Sequence, residues 1–226
     1  MGHLDGPADH SDNQPGQFPY TSHLCHSSRS MLEGLLVIPL LPQDPAFGDK
    51  QGIGWFNTDP DVWSRSAGSF LEPGAYGYSN FIHEFGHGLG LGHPHDNGGG
   101  TGAVFAGVTS AGSFGDDQLN QEVFTVMSYN KGWKTGPNGG SDTNEYGIVR
   151  TPMAFDIAMI QRKYGAVDHN NGKTNYNLWT ANKLGTGYEA IWDTGGKDTI
   201  INPGNDSATI DLRAATLKQE PGGGGF

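Results

Sequence analysis

One stretch limits this chain more than any other: His83-Glu84-Phe85-Gly86-His87-Gly88-Leu89-Gly90-Leu91-Gly92-His93. On an α-helix, residues four apart stand one turn above each other on the same face, so His83 and His87 can aim ring nitrogens at one ion. Glu84 projects beside that face, where its carboxylate can take a proton from water instead of binding the metal. Gly90 is free to adopt a positive φ, ending the helix and turning the chain back, and His93 arrives three residues later as a third ligand. Three neutral imidazoles leave zinc an open position for water, whereas structural zinc sites are closed. Cys25 is the only cysteine and lies far away in sequence, which excludes a thiolate-rich structural site. The pattern favours hydrolysis by an activated water.

With 226 residues, the chain is long enough for one sizeable domain, with or without a tail. Its 37 glycines and 13 prolines would raise the question of low complexity, but an aromatic content of 11% supplies core material that disordered chains lack. A loop-rich, irregular domain is expected. The net charge of -11 speaks against a nucleic-acid partner, which needs clustered Lys and Arg, and suits the binding of cations. No internal disulfide is possible with one cysteine. The longest apolar run, Leu35 to Leu41, falls short of the ~20 residues that a membrane span needs and contains Pro39. A soluble chain with no membrane partner is expected. Its start, Met1 to Gly6, does not look like a secretory signal.

Residues from Met1 to about Pro19 show no period and read as loop. Short strands are expected within Leu35 to Leu41 and Ile53 to Asn57. From Ser79, the spacing of Phe81, Ile82, Phe85 and Leu89 predicts a helix with one apolar stripe, running to about Leu89. Glycine-rich loops flank Val123 to Tyr129. A second helix is expected with Thr151 as its cap, Pro152 at its first position, Phe155, Ile157, Ile160 and Tyr164 on its apolar side, and Gly165 as its stop.

The pattern at His83, Glu84, His87, Gly90 and His93 resembles that of the metzincin metallopeptidases. Val126-Met127-Ser128-Tyr129-Asn130 resembles the methionine turn that those enzymes place beneath their zinc, with Met127 as its floor. Pro94 after the third histidine, and Tyr129 two residues after the methionine, resemble the serralysin group. The resemblance implies that Tyr129 binds zinc in the resting enzyme and swings away to stabilise the tetrahedral intermediate. It continues through Thr151 to Gln161, Tyr164 to Ala166, and Trp192 to Thr199. In serralysins the last stretch begins a calcium-binding part, so the resemblance implies a Ca2+ held by Asn170, Gly172, Thr174, Asp193, Gly195 and Asp198.

The implied fold is α+β: a metzincin-like catalytic domain with a twisted, mostly parallel sheet, an active-site helix, a methionine turn and a following helix, then the start of a β-roll-like part. Three regions are expected: 1–51, poorly matched to the family; 52–165, the catalytic domain; and 166–226, the start of the calcium-binding part with a glycine-rich tail. The sequence departs from the family in two ways. Only about eighty residues precede His83, and no array of nonapeptide repeats follows. The resemblance implies a secreted, monomeric zinc endopeptidase acting on protein or peptide substrates, with Zn2+ and Ca2+ as cofactors. The shortened flanks leave a second reading, a non-catalytic zinc- and calcium-binding module. His95 adjoins the site but is not needed for zinc, while His3, His10, His23, His26 and His169 have surface-like surroundings. Asp156 is expected to satisfy backbone donors at its helix N-terminus, with a contact to a ligand histidine as the alternative.

Overall fold

The computed structural model describes residues 37–39, 54–56, 71–96, 104–213, 216–218 and 220. The described elements are β1 (Val37–Pro39), β2 (Gly54–Phe56), α1 (Tyr76–Gly88), α2 (Ala154–Tyr164), β3 (Asn175–Asn177) and β4 (Thr199–Ile201). This is an α+β arrangement joined by long irregular segments, as the glycine content requires. Cys25, the first nineteen residues and the last six lie outside the described residues.

Among the described residues, the strands form two two-stranded sheets, one of them parallel. β1 and β2 pair antiparallel, with Ile38 opposite Trp55, while β3 and β4 form the parallel pair, with Tyr176 opposite Ile200.

α1 contains Gly77, Gly86 and Gly88, each costing roughly 1 kcal/mol of helix propensity relative to alanine, so packing and end contacts must hold it. It starts three residues before the expected Ser79. The Tyr76 N–H donates to Asn144 O from a distant loop (2.9 Å), so the start needs no side-chain cap. The expected apolar stripe is not the buried face. Ile82 packs on the core, but Phe81 and Phe85 are exposed and meet edge to face at 4.8 Å, while Ser79, His83, Gly86 and His87 are buried. The helix turns Ser79, His83 and His87 inward, toward the histidine cluster beneath it.

α2 begins two residues later than the sequence suggests. The Thr151 hydroxyl accepts from the Ala190 N–H (2.9 Å) and so does not cap it; the Asp156 carboxylate reaches back to the Met153 N–H instead (2.8 Å). Gly165 ends α2 at φ +88°. One core cluster joins Leu91, Val126, Met127, Ile148, Val149 and Met153; a second joins Leu119, Phe124 and Phe155.

The chain beyond α2 returns to this core. Gly147 N–H donates to Thr186 O, Tyr188 N–H to Ile148 O, and Arg150 N–H to Tyr188 O, at 2.8 to 2.9 Å, while Ile148 N–H donates to Gly74 O at 3.0 Å. A side chain at Gly74 or Gly187 would collide with the carbonyl of Thr186 or Ile148, so these close approaches require glycine. Among the described residues, no helix is long and apolar enough to cross a membrane.

Candidate metal centre and active site

The end of α1 builds the site. Leu91 N–H donates to Gly86 O (2.9 Å) and Gly90 N–H to His87 O (2.7 Å), the paired bonds of a Schellman motif, with Gly90 at φ +79° as the left-handed residue. α2 reinforces this turn: Lys163 Nζ donates to Gly90 O and the Tyr164 hydroxyl to Leu89 O, both at 3.0 Å. Carbonyls orphaned by the helix end thus find partners, and the chain is set to bring His93 back.

His83, His87 and His93 converge. The Nε2 atom of His93 lies 3.1 Å from that of His83 and 3.0 Å from that of His87. Tetrahedral nitrogen ligands at zinc bond lengths stand about 3.3 Å apart, so the spacing fits one small ion. The opposite ring nitrogens fix the tautomers. His83 Nδ1 donates to Val126 O (2.8 Å), His87 Nδ1 to Leu91 O (2.9 Å), and His93 Nδ1 pairs with Asp96 Oδ2. All three Nε2 lone pairs therefore face a common point, an arrangement that repels itself unless a cation sits there. Burial lowers the His83 pKa to about 3 and the His87 pKa to about 4, keeping both imidazoles neutral, as a metal ligand must be. The three histidines could hold a metal ion, and their chemistry fits zinc.

Glu84 is half-buried beside them. Its Oε2 is buried and has no hydrogen-bond partner among the described residues, and burial pushes its carboxyl up to about 7. Tyr129 stands over the site, 55% exposed, with its hydroxyl donating to His93 Nε2 at 3.2 Å. Burial, then the nearby charges of Glu84 and Asp96, raise its pKa. Met127, 1% exposed, lies under α1, and a Cβ added to Gly86 would come within 2.5 Å of its sulfur.

Several contributors were not singled out in the sequence. Asp96 stands three residues after His93, a spacing that one turn brings together. Glu122, buried, accepts from the Ser79 hydroxyl (3.1 Å) and the Gly132 N–H (2.8 Å), tying α1 to the loop after Tyr129. Ser79 lies one helical turn before His83, so the stripe of residues 79, 83 and 87 was a usable signal. Asp156 does satisfy backbone donors: it accepts from the N–H groups of Val126 and Met153 and from the Thr125 hydroxyl (2.6 to 2.8 Å). It touches no ligand histidine directly, but it holds the Val126 peptide whose carbonyl orients His83. His95, given little weight in the sequence, packs against both His93 and Tyr129. One ligand atom each from His93, His95 and Asp96 also lies close enough for an ion, but the two imidazoles stack at 21°, and in-plane lone pairs of nearly parallel rings do not converge.

The six residues of the expected calcium site come together in two adjacent loops ahead of β3 and β4. Asp198 Oδ1 accepts from the Thr174 N–H (2.9 Å), the Gly172 carbonyl approaches Gly196 closely, and the Tyr176 hydroxyl links Asn170 (3.1 Å) to Asp193 (2.6 Å). Protein donors engage both Asp193 oxygens, since Gly195 N–H binds the second at 2.9 Å.

No family model matches the chain. Individual relatives do. Serralysin C of Dickeya chrysanthemi is 32% identical over 190 residues, covering 79% of this chain and 36% of that protein. The serralysin of Proteus mirabilis is 31% identical over 198 residues, 80% of this chain and 36% of its own length. That of Photorhabdus luminescens is 32% identical over 204 residues, 84% and 38% respectively. The chain thus spans a little over a third of the length of these curated relatives. With a histidine cluster able to hold a metal and relatives of one kind along four fifths of its length, the chain is a serralysin-like member of the metzincin metallopeptidases.

Proposed function

We propose that this chain is a zinc-dependent endopeptidase that hydrolyses peptide bonds in proteins. One observation carries the reading: the Nε2 atom of His93 lies 3.1 Å from that of His83 and 3.0 Å from that of His87, and the neighbouring Glu84 has a buried carboxylate oxygen without a partner among the described residues. When bound by His83, His87 and His93, the ion supplies Lewis-acid polarisation of water and of the scissile carbonyl. Glu84 acts as general base, taking the proton of the attacking water and delivering it to the leaving amine. The Tyr129 hydroxyl donates to the developing oxyanion. Asp96 and the carbonyls of Val126 and Leu91 hold the imidazoles in the tautomer that presents Nε2. Met127 is the floor of a methionine turn under α1.

The test is Glu84→Gln, which keeps the shape of the side chain. It should retain one zinc per chain and lose nearly all cleavage of casein, and 1,10-phenanthroline should silence the wild type. An active Glu84→Gln protein would sink the assignment.

The domain division, with a catalytic part at 52–165 and a following part at 166–226, belongs to the same proposal, as does a Ca2+ held in the loops that contain Asn170, Gly172, Thr174, Asp193, Gly195 and Asp198. So do monomeric action and a secreted location, both of which rest on the serralysin likeness alone. The competing reading is a non-catalytic zinc- and calcium-binding module. Zinc occupancy without turnover on the same sample would favour it.

A further inference from the structure

We propose that His95 is a positioning residue for Tyr129, a ring wall that holds the phenol at the mouth of the metal centre. The inference rests on the reading that His93 is a ligand and that Tyr129 works beside it. His95 sits in a turn whose geometry is fixed. Asp96 N–H reaches back to His93 O (3.4 Å), Pro94 occupies the second position with its side chain fully buried, and the Pro94 carbonyl accepts from Phe105 N–H (2.9 Å). This turn folds the His95 ring onto His93, with centroids 4.9 Å apart and planes at 21°.

Tyr129 needs such a wall. Its backbone is clamped on both sides, because Asn120 takes the Ser128 hydroxyl (2.8 Å) on its side-chain oxygen and the Asn130 side chain (2.8 Å) on its backbone carbonyl. The ring between them projects outward, more than half exposed. Among the described residues, its ring contacts are with imidazoles: His95 at 4.7 Å, His93 at 4.8 Å and His83 at 5.8 Å. His83 and His93 aim their nitrogens at the common metal point, so His95 is the member of the set free to serve as packing. Its Nδ1 is buried without a hydrogen-bond partner among the described residues, its Nε2 stands 3.9 Å from Asp96 Oδ2, and its ring lies stacked on that of His93. What His95 contributes here is ring surface.

Loss of one aromatic contact of ordinary strength changes the ratio of docked to undocked phenol by roughly two- to twelvefold. The test uses the full chain labelled with 3-fluorotyrosine and free of metal, with the Tyr129 fluorine signal assigned by its loss in Tyr129→Phe. His95→Ala and His95→Ser should move that signal toward the position of solvent-exposed tyrosine, while the other tyrosine signals, unmoved, report an intact fold. His95→Phe, which keeps the ring and discards the nitrogens, should restore the wild-type position. In the Cu2+-loaded proteins, the visible phenolate-to-copper band should weaken in the Ala and Ser variants and return in Phe. An unmoved Tyr129 signal in His95→Ala or His95→Ser overturns the proposal, as does failure of His95→Phe to restore it. If the fluorine shifts behave as expected but wild type lacks the copper band, His95 still braces the ring, and it is the role of Tyr129 at the metal that fails.

Discussion

Replacing Glu122 by glutamine should stabilise the protein, and only above acidic pH. Glu122 is buried between α1 and the loop after Tyr129, with the Ser79 hydroxyl and the Gly132 N–H as its donors. Burial pushes its carboxyl from the ordinary 4.5 up to about 7, against the opposing help of those two hydrogen bonds. The folded state therefore holds this proton more tightly than the unfolded chain does. The contribution to stability is whole below pH 4.5, falls as pH rises from 4.5 to about 7, and is flat above that. At roughly 1.4 kcal/mol per pH unit, the ionised form costs about 3 kcal/mol at pH 8.

Glutamine fits the same pocket, with its carbonyl accepting from Gly132 N–H and its amide donating to the Ser79 oxygen. Glu122→Gln should thus match wild type near pH 4.5 and exceed it by about 3 kcal/mol at pH 8, which raises the urea midpoint by about 1 M or more. Urea unfolding of both proteins at several pH values, with a chelator present so that metal linkage cancels, measures the difference directly. A glutamine advantage that stays constant from pH 5 to pH 8 would falsify the reasoning, and a less stable variant at pH 8 would show that the carboxylate is held by donors stronger than the two described.

Other substitutions probe the site. Tyr129→Phe should retain zinc and lower the turnover rate by roughly 10²-fold, the usual loss for one oxyanion donor, measured by peptide cleavage under saturating substrate. Gly86→Ala forces a methyl against the Met127 sulfur and should destabilise by roughly 1–3 kcal/mol, with most of that cost absent in a Met127→Ala background when the double-variant cycle is measured by denaturation. Asp156→Ala strands the donors of Thr125, Val126 and Met153, so it should cost roughly 3 kcal/mol or more and weaken zinc binding at least about tenfold through the loosened Val126 carbonyl, with Asp156→Asn recovering part of both. A chain ending at Gly165 should fail to fold cooperatively, since it removes the strand-like cover of Ile148 and Val149 supplied by residues 186–190; well-dispersed NMR signals from that fragment would contradict the docking seen here.

The legible parts of the sequence were those in which a local geometric rule fixes both position and chemistry. Helical spacing placed His83 and His87 on one face, and the freedom of Gly90 predicted a turn that the structure shows at φ +79°. Propensity and periodicity failed where a distant partner intervened. The apolar spacing of Phe81 and Phe85 marked α1 as a helix but named the wrong inner face, because burial follows the ligands and not the phenylalanines. Thr151-Pro152 has the local form of a helix start, yet Ala190 claims the Thr151 hydroxyl from thirty-nine residues away. The antiparallel pairing of β1 with β2 is likewise a matter of partner choice, which periodicity does not encode.

The groups that hold the ligands obey the same distinction. Asp96 could have been read from its spacing after His93, but Glu122, Asp156 and the carbonyl of Val126 act through contacts that span thirty residues or more, or that depend on which face of a loop closes on α1. A ligand histidine is recognisable because coordination demands a residue type at a spacing; the group behind it need only present an oxygen, and a backbone carbonyl carries no signature at all. Two of the three clustered histidines, His83 and His87, are oriented by such carbonyls. The precision of this site is therefore set by the path of the main chain at Val126 and Leu91, and that path is maintained by Asp156, Met127 and the Gly90 turn, so the substitutions that disturb catalysis most without touching a ligand should fall there.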